Sequence, residues 1–337
     1  MALSERQGLL QSVKSGNQLS PTVDDMAGAK KGRSLMIRLV KSELTQLWGN
    51  LLFDALQRFS FHLTPVHYYE PIPDTRKLRD NLWEKRSSLA GVDLGEQRQI
   101  ALLSELASKY RGEYDSIPKR QTSVPHEYFL ENKSFIGVDG EMLYCMIRRF
   151  KPRRIIEIGS GMSTFMSSRA VLKNREETGN GCEYTVFDPY PNDVIKAGVP
   201  GLSRVVETGV EDVGIEEFSK LRENDILFID SSHVLRIGND VQYLYLDVLP
   251  RLSKGVVVHV HDVFLPAEYP REWVLKDHFF WNEQYLLQSF LTFNDSFKVL
   301  WASHFMHLAH PDLLSASFSS YDKTGIRPCS LWMQRTK

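Results

Sequence analysis

The chain predicts an α/β fold, a doubly wound and mostly parallel seven-stranded sheet preceded by an N-terminal helical extension, and three observations carry that expectation. From about Phe135 onward, short β-rich apolar runs alternate with helical segments. A glycine turn, "IGSG", follows the first of these runs. Two later runs, "DILFID" and "GVVVHVHD", end on ionisable residues, as strands do when they deliver side chains to the carboxyl edge of a parallel sheet.

Residues 1–34 are polar, carry the basic cluster Lys30, Lys31 and Arg33, and show no sustained period, so a flexible tail is expected. Residues 35–125 read as a helical and irregular extension. Within it Met36, Val40, Leu44, Leu47, Trp48, Leu51, Leu52 and Phe59 recur at three- and four-residue steps, which predicts an amphipathic helix over 36–59. Its apolar face suits the protein's own core or a second subunit; contact with a membrane surface is the lesser alternative. The proline- and aromatic-rich "HLTPVHYYEPIPDT" is too irregular for a helix and reads as an extended strap. A helix is expected near 96–110 and a boundary within 112–125, leaving 126–337 as the ligand-binding domain. The candidate strands there are 154–158, 184–188, 204–208, 225–230, 255–261, 297–303 and 330–334, with helices in "GNDVQYLYLDVLPRL" and "FWNEQYLLQSFLTF" between them.

Composition narrows the function. With 41 basic against 42 acidic side chains the chain has no global field to attract nucleic acid. No run approaches the roughly 20 apolar residues of a membrane-spanning helix, and the first residues lack the apolar core of a secretory signal, so a cytoplasmic location is expected. Cys145, Cys182 and Cys329 are widely separated and have no metal-type spacing; they read as reduced and structural.

The glycine turn places Glu157, Gly159, Ser160 and Gly161 between a strand and a helix, where glycines let a ligand approach the backbone. The next strand ends on Asp188, a carboxylate able to accept from both hydroxyls of a ribose. A dinucleotide and S-adenosylmethionine compete for such a turn. The dinucleotide pattern needs a third glycine where this chain has Thr164, and an acidic residue just before the glycines suits a cationic sulfonium better than a pyrophosphate.

On "EIGSGMST", "FDPYP", "GVEDV", "DILFIDSSH" and "VHVHDVF", in that order, residues 135–337 resemble the class I S-adenosylmethionine-dependent methyltransferases. The resemblance implies a Rossmann-like seven-stranded sheet with one antiparallel strand near the edge, supplied by "SLWMQ". It implies that Glu157, Gly159, Ser160 and Gly161 surround the methionine part of the cofactor, that Asp188 holds the ribose, that Glu211 or Asp212 lies near the adenine, and that Asp230 also faces the cofactor. "DPYP" follows the second strand, not the fourth, so it is not read as an amino-methylating motif.

If "DILFID" and "GVVVHVHD" are neighbouring parallel strands, their ends bring Asp230, His233, His261 and Asp262 to one rim, and a cation would offset the repulsion of the carboxylates. The arrangement is similar to metal-dependent O-methyltransferases. Carried over, Asp230, His261 and Asp262 become ligands of Mg²⁺ or another divalent metal and His233 the base, with His261 a departure where the family has a carboxylate. His259 lies deeper on the same strand face and reads as a hydrogen-bonded core residue. The aromatic-dense "VFLPAEYPREWVLKDHFFWNEQYLL" is a candidate lid, with Asn282, Glu283 and Gln284 as candidate substrate contacts. The expected activity is methyl transfer to a small-molecule or glycan-like acceptor, and a homo-oligomer is compatible with it. The rivals are a non-haem iron oxygenase built on His233, His261 and one aspartate, and a catalytically silent binding module.

Overall fold

The computed structural model describes residues 49, 51–325 and 327–337. The expected tail over 1–34 and most of the expected 36–59 helix lie outside the described residues; residues 51–57 are helical and form α1. Contacts divide the chain into two compact units, Met1–Asp74 and Thr75–Lys337. In the first, the described residues after α1 run without helix or strand from 61 to 74, and Tyr68 and Tyr69 are exposed. Among the described residues no helix is long and apolar enough to cross a membrane.

The second unit holds the sheet. Its strands are β1 (Arg154–Ile158), β2 (Glu183–Phe187), β3 (Arg204–Val206), β4 (Ile226–Ile229), β5 (Val257–Val260), β6 (Phe297–Ala302) and β7 (Leu331–Arg335). All seven expected strands form, in the order β3-β2-β1-β4-β5-β7-β6. β7 runs antiparallel to both β5 and β6, and every other pairing is parallel. Strands β4 and β5 are buried along their whole length, which is why "ILFI" and "VVHV" read as unbroken runs instead of alternating ones.

Side chains leave the two faces alternately. Ile155, Phe228 and Val257 join one apolar cluster with α2 (Glu96–Tyr114), α3 (Asp139–Phe150) and α4 (Met162–Thr178); Ile156, Ile158, Leu227, Ile229, Val258 and Val260 join the other. That second cluster is closed by the helical run that starts with Asp240–Tyr243 and by the helix Glu283–Leu291. The contact division falls at 74–75, ahead of the stretch 112–125 in which a boundary is expected. Leu103, Leu106 and Tyr114 of α2 are buried in the first cluster, so this helix is part of the sheet domain's own core.

Register positions the site. Ile158 of β1 pairs with Phe187 of β2 and Ile229 of β4, and Ile229 pairs with Val260 of β5. The residues that follow therefore stand abreast. Gly159 N donates to Phe187 O (2.9 Å), Asp230 N to Ile158 O (3.0 Å) and His261 N to Ile229 O (2.9 Å), so the ladder continues one step past the strands and brings Gly159, Asp188, Asp230 and His261 to one edge.

Candidate active site

Gly159 has a φ of +78°, and a Cβ placed there would fall 2.3 Å from the carbonyl oxygen of Asp230. Only glycine lets the turn after β1 pass the end of β4 so closely. Gly161 is different: a Cβ there would enter open space, so its backbone is free to be approached. Thr164, standing where a dinucleotide turn has glycine, accepts from Gly161 N (3.1 Å) and caps α4. A cavity of about 330 Å³ opens here, lined by Phe135, Ser160, Gly161, Met162, Asn192 and Asp230 among others. A larger cavity of about 570 Å³ lies along α2 and α4, where Glu113, Ser168 and Lys173 line it. It holds none of the strand-end residues, so size does not mark the site; chemistry does.

Asp188 stands beside the turn, accepting from the Ser160 hydroxyl and from Tyr190 N (2.7 Å). Glu211 and Asp212 are exposed in the 3₁₀ turn Val210–Asp212 that follows β3, whose Val210 is buried. Glu157 departs from its expected place. It is fully buried on the α3–α4 face of β1 and accepts from Ser163 Oγ (2.6 Å) and from the Tyr184 hydroxyl. Burial pushes its carboxyl up to about 7, against the opposing hydrogen bonds. Alternation along β1 points it into the core, where it ties the helix start to β2, so it is not in the cavity lining.

The second half of the rim is built around His233. Its Nε2 lies 3.2 Å from Asp230 Oδ1 and 3.3 Å from Asp262 Oδ2, and its Nδ1 lies 2.9 Å from Glu283 Oε2. His233 and Asp262 both have left-handed backbones, with φ of +60° and +56°. Such conformations are held only where surroundings over-determine them, and here they turn both side chains onto one point. The "SSH" loop is fixed by Ser232 N and Oγ donating to Asp240 and by Ser231 Oγ donating to Glu283 (2.8 Å). The start of the helix Glu283–Leu291 is anchored on the same loop, with Asn282 N and Glu283 N donating to His233 O. Trp281 lies against the imidazole at 4.4 Å between centroids. Burial alone would lower the His233 pKa; hydrogen bonds to Asp230 and Glu283 outweigh it and hold the value well above the ordinary one. Burial likewise opposes ionisation of Asp230, and the imidazole reverses the sign and holds its carboxyl low.

His261 is placed otherwise than expected. Atoms of Asp230, His233 and Asp262 lie within 4.8 Å of one another, and His261 is not in that group. The His261 ring packs against Phe135 at 4.7 Å, and its Nε2 faces Cys329 Sγ at 3.9 Å. The reason is alternation: His261 shares its face with His259, which is buried, stacks on Phe228 at 3.9 Å and bonds Ser330 Oγ (3.0 Å) as expected of a core histidine. Glu283 and Cys329 are the partners that sequence reasoning does not find. The sequence marks Glu283 only as a candidate substrate contact, and no local pattern links it to a histidine fifty positions away.

Residues 156–263 match a family described as a methyltransferase domain. That stretch, about a third of the chain, is similar to methyltransferase domains. Its match begins inside β1 and ends just past Asp262, so it spans the glycine turn and both acidic strand ends. An uncharacterized protein of Archaeoglobus fulgidus is 27% identical over 169 residues, covering 48% of this chain and 75% of the relative. Among solved structures, the SAH-bound methyltransferase PaMTH1 of Podospora anserina is 16% identical with a TM-score of 0.37, covering 70% of this chain and 88% of that one. The SAH-bound O-methyltransferase of Bacillus cereus is 12% identical with a TM-score of 0.32, covering 70% and 91%. Both are distant likenesses in chain path.

Proposed function

We propose that the chain transfers the methyl group of S-adenosylmethionine to an oxygen of a small-molecule or glycan-like acceptor, with a divalent cation held by Asp230 and Asp262. The observation that carries this reading is the level register of β1, β2, β4 and β5, which puts the glycine turn, Asp188 and the Asp230–His233–Asp262 group on one edge. The residues fit both absent groups. Gly161 leaves an open cradle with Ser160 and Asp188 beside it, and the Asp230 and Asp262 carboxylates offer a pair of oxygen donors suited to Mg²⁺ or Mn²⁺. When bound, the cofactor supplies an electrophilic methyl group and the cation acidifies the acceptor hydroxyl.

This chain's own residues would do the rest. A cation held by Asp230 and Asp262 would offset the negative charge that keeps His233 protonated; with Glu283 accepting from Nδ1, Nε2 would then be the proton acceptor of the neutral ring. Trp281 walls that ring, and the segment between Asp262 and Trp281 screens the rim from water with Phe264, Tyr269 and Trp273 packed edge to face. An iron centre with two histidines would need His261 beside His233; His261 is turned to Cys329, so the geometry supports that alternative less. The test is calorimetric titration with S-adenosylhomocysteine. Binding that weakens at least about tenfold in Asp188→Ala is expected; failure of the wild type to bind would end the reading.

A further inference from the structure

The two oxygens of Asp262 face different groups. Oδ2 lies 3.3 Å from His233 Nε2, whereas Oδ1 lies 3.3 Å from Cys329 Sγ and 3.9 Å from His261 Nε2. Behind Asp262, ligand atoms of Asp139, His261 and Cys329 lie within 4.8 Å of one another, and all three residues are buried.

The donors in this second group are not used up by hydrogen bonds. Asp139 Oδ1 accepts from Ser303 Oγ (2.6 Å) and Ser330 N (3.1 Å), and Oδ2 accepts from Cys329 N (2.7 Å). A carboxylate has about four acceptor positions, so Oδ2 keeps one open beside the thiol. His261 Nε2 faces sulfur and oxygen at 3.9 Å each, long for hydrogen bonds. Around a tetrahedral zinc, with bonds of about 2.0–2.3 Å, neighbouring donors stand about 3.3–3.6 Å apart. The spacings of 3.3, 3.9 and 3.9 Å among Sγ, Oδ1 and Nε2 need only small side-chain shifts to meet that.

We propose that Asp139, His261, Cys329 and Asp262 form a second cation site, taking a thiophilic divalent ion such as Zn²⁺. The thiol proton leaves to solvent, sulfur bonds the ion, and Asp262 Oδ1, released from the S–H hydrogen bond, becomes the fourth donor; no electron changes hands. The ion would tie the end of β5 to the segment entering β7 and to the start of α3, and so hold the carboxylate that also serves the first group. The thiolate separates the two sites: the first set, without sulfur, favours Mg²⁺ or Mn²⁺. This site stands on its four side chains and does not depend on the methyl-transfer reading.

Cobalt titration of the full chain tests it. Co²⁺ should produce one equivalent of thiolate-to-cobalt charge-transfer absorption, displaced by Zn²⁺ and not by excess Mg²⁺. Cys329→Ser should remove the band, while Cys182→Ser and Asp230→Asn should keep it. A wild type without the band, a band surviving in Cys329→Ser, or one lost in Asp230→Asn would overturn the assignment. If Cys329→Ser does not fold, His261→Gln asks the same question: cobalt must bind more weakly, and unchanged affinity counts against the site.

Discussion

Two buried carboxyl groups do different work at single-residue scale. Glu283 acts through His233, so Glu283→Gln should lower kcat about ten- to a hundredfold while the KM for the methyl donor changes little; rapid-quench and steady-state assays separate the two. Glu157 is a matter of stability. Its folded pKa of about 7 is above the ordinary carboxyl value, so its contribution is complete below about pH 4.5 and is lost as pH rises through 7. At pH 8 the ionised, buried carboxylate costs up to roughly 3 kcal/mol, because each pH unit separating the folded from the unfolded titration is worth about 1.4 kcal/mol. Glu157→Gln should therefore raise the thermal midpoint at pH 8 and leave it nearly unchanged at pH 5. A gain of equal size at both values would rule out this role. Neither role was legible in the sequence. "EIG" announces an acidic residue at the right turn, but the partners that hold it in the core, Tyr184 and Ser163, are brought near only by the fold.

At the scale of elements, the turn after β1 carries the contrast. Gly159→Ala forces a positive φ on a side chain and drives Cβ into the Asp230 carbonyl, so a loss of at least about 1–3 kcal/mol in urea unfolding is expected. Gly161→Ala fills open space and should leave stability within about 0.5 kcal/mol while weakening S-adenosylhomocysteine binding. Equal stability losses at the two positions would mean that the cradle is not open. Strands were the readable elements because parallel burial on both faces writes them as continuous Val, Ile and Leu runs. Helical segments were less so. "GNDVQYLYLDVLPRL" looks like one helix, yet after Asp240–Tyr243 it passes through a π turn at Leu244–Val248 and a 3₁₀ turn at Leu249–Arg251, where Pro250 cannot donate. The sequence misplaces His261 for a related reason: period-two alternation puts its side chain with the core, and the positive φ of His233, invisible in sequence, turns the other imidazole onto the aspartates.

For the molecule as a whole, the division at Asp74 predicts that residues 75–337 unfold in one cooperative transition when expressed alone, whereas a chain starting at 126 loses the buried face of α2 and should not. Denaturation followed by circular dichroism distinguishes these outcomes. The proposed activity rests on a juxtaposition within the same unit: the methyl-donor turn and the carboxylate–imidazole group share one edge because four strands end at one level. Proton relaxation of bound S-adenosylhomocysteine in the presence of Mn²⁺ measures that juxtaposition. Strong paramagnetic broadening of the methylene protons next to sulfur is expected, abolished in Asp230→Asn. Tight binding of both ligands without broadening, or broadening that survives the substitution, would refute the shared edge.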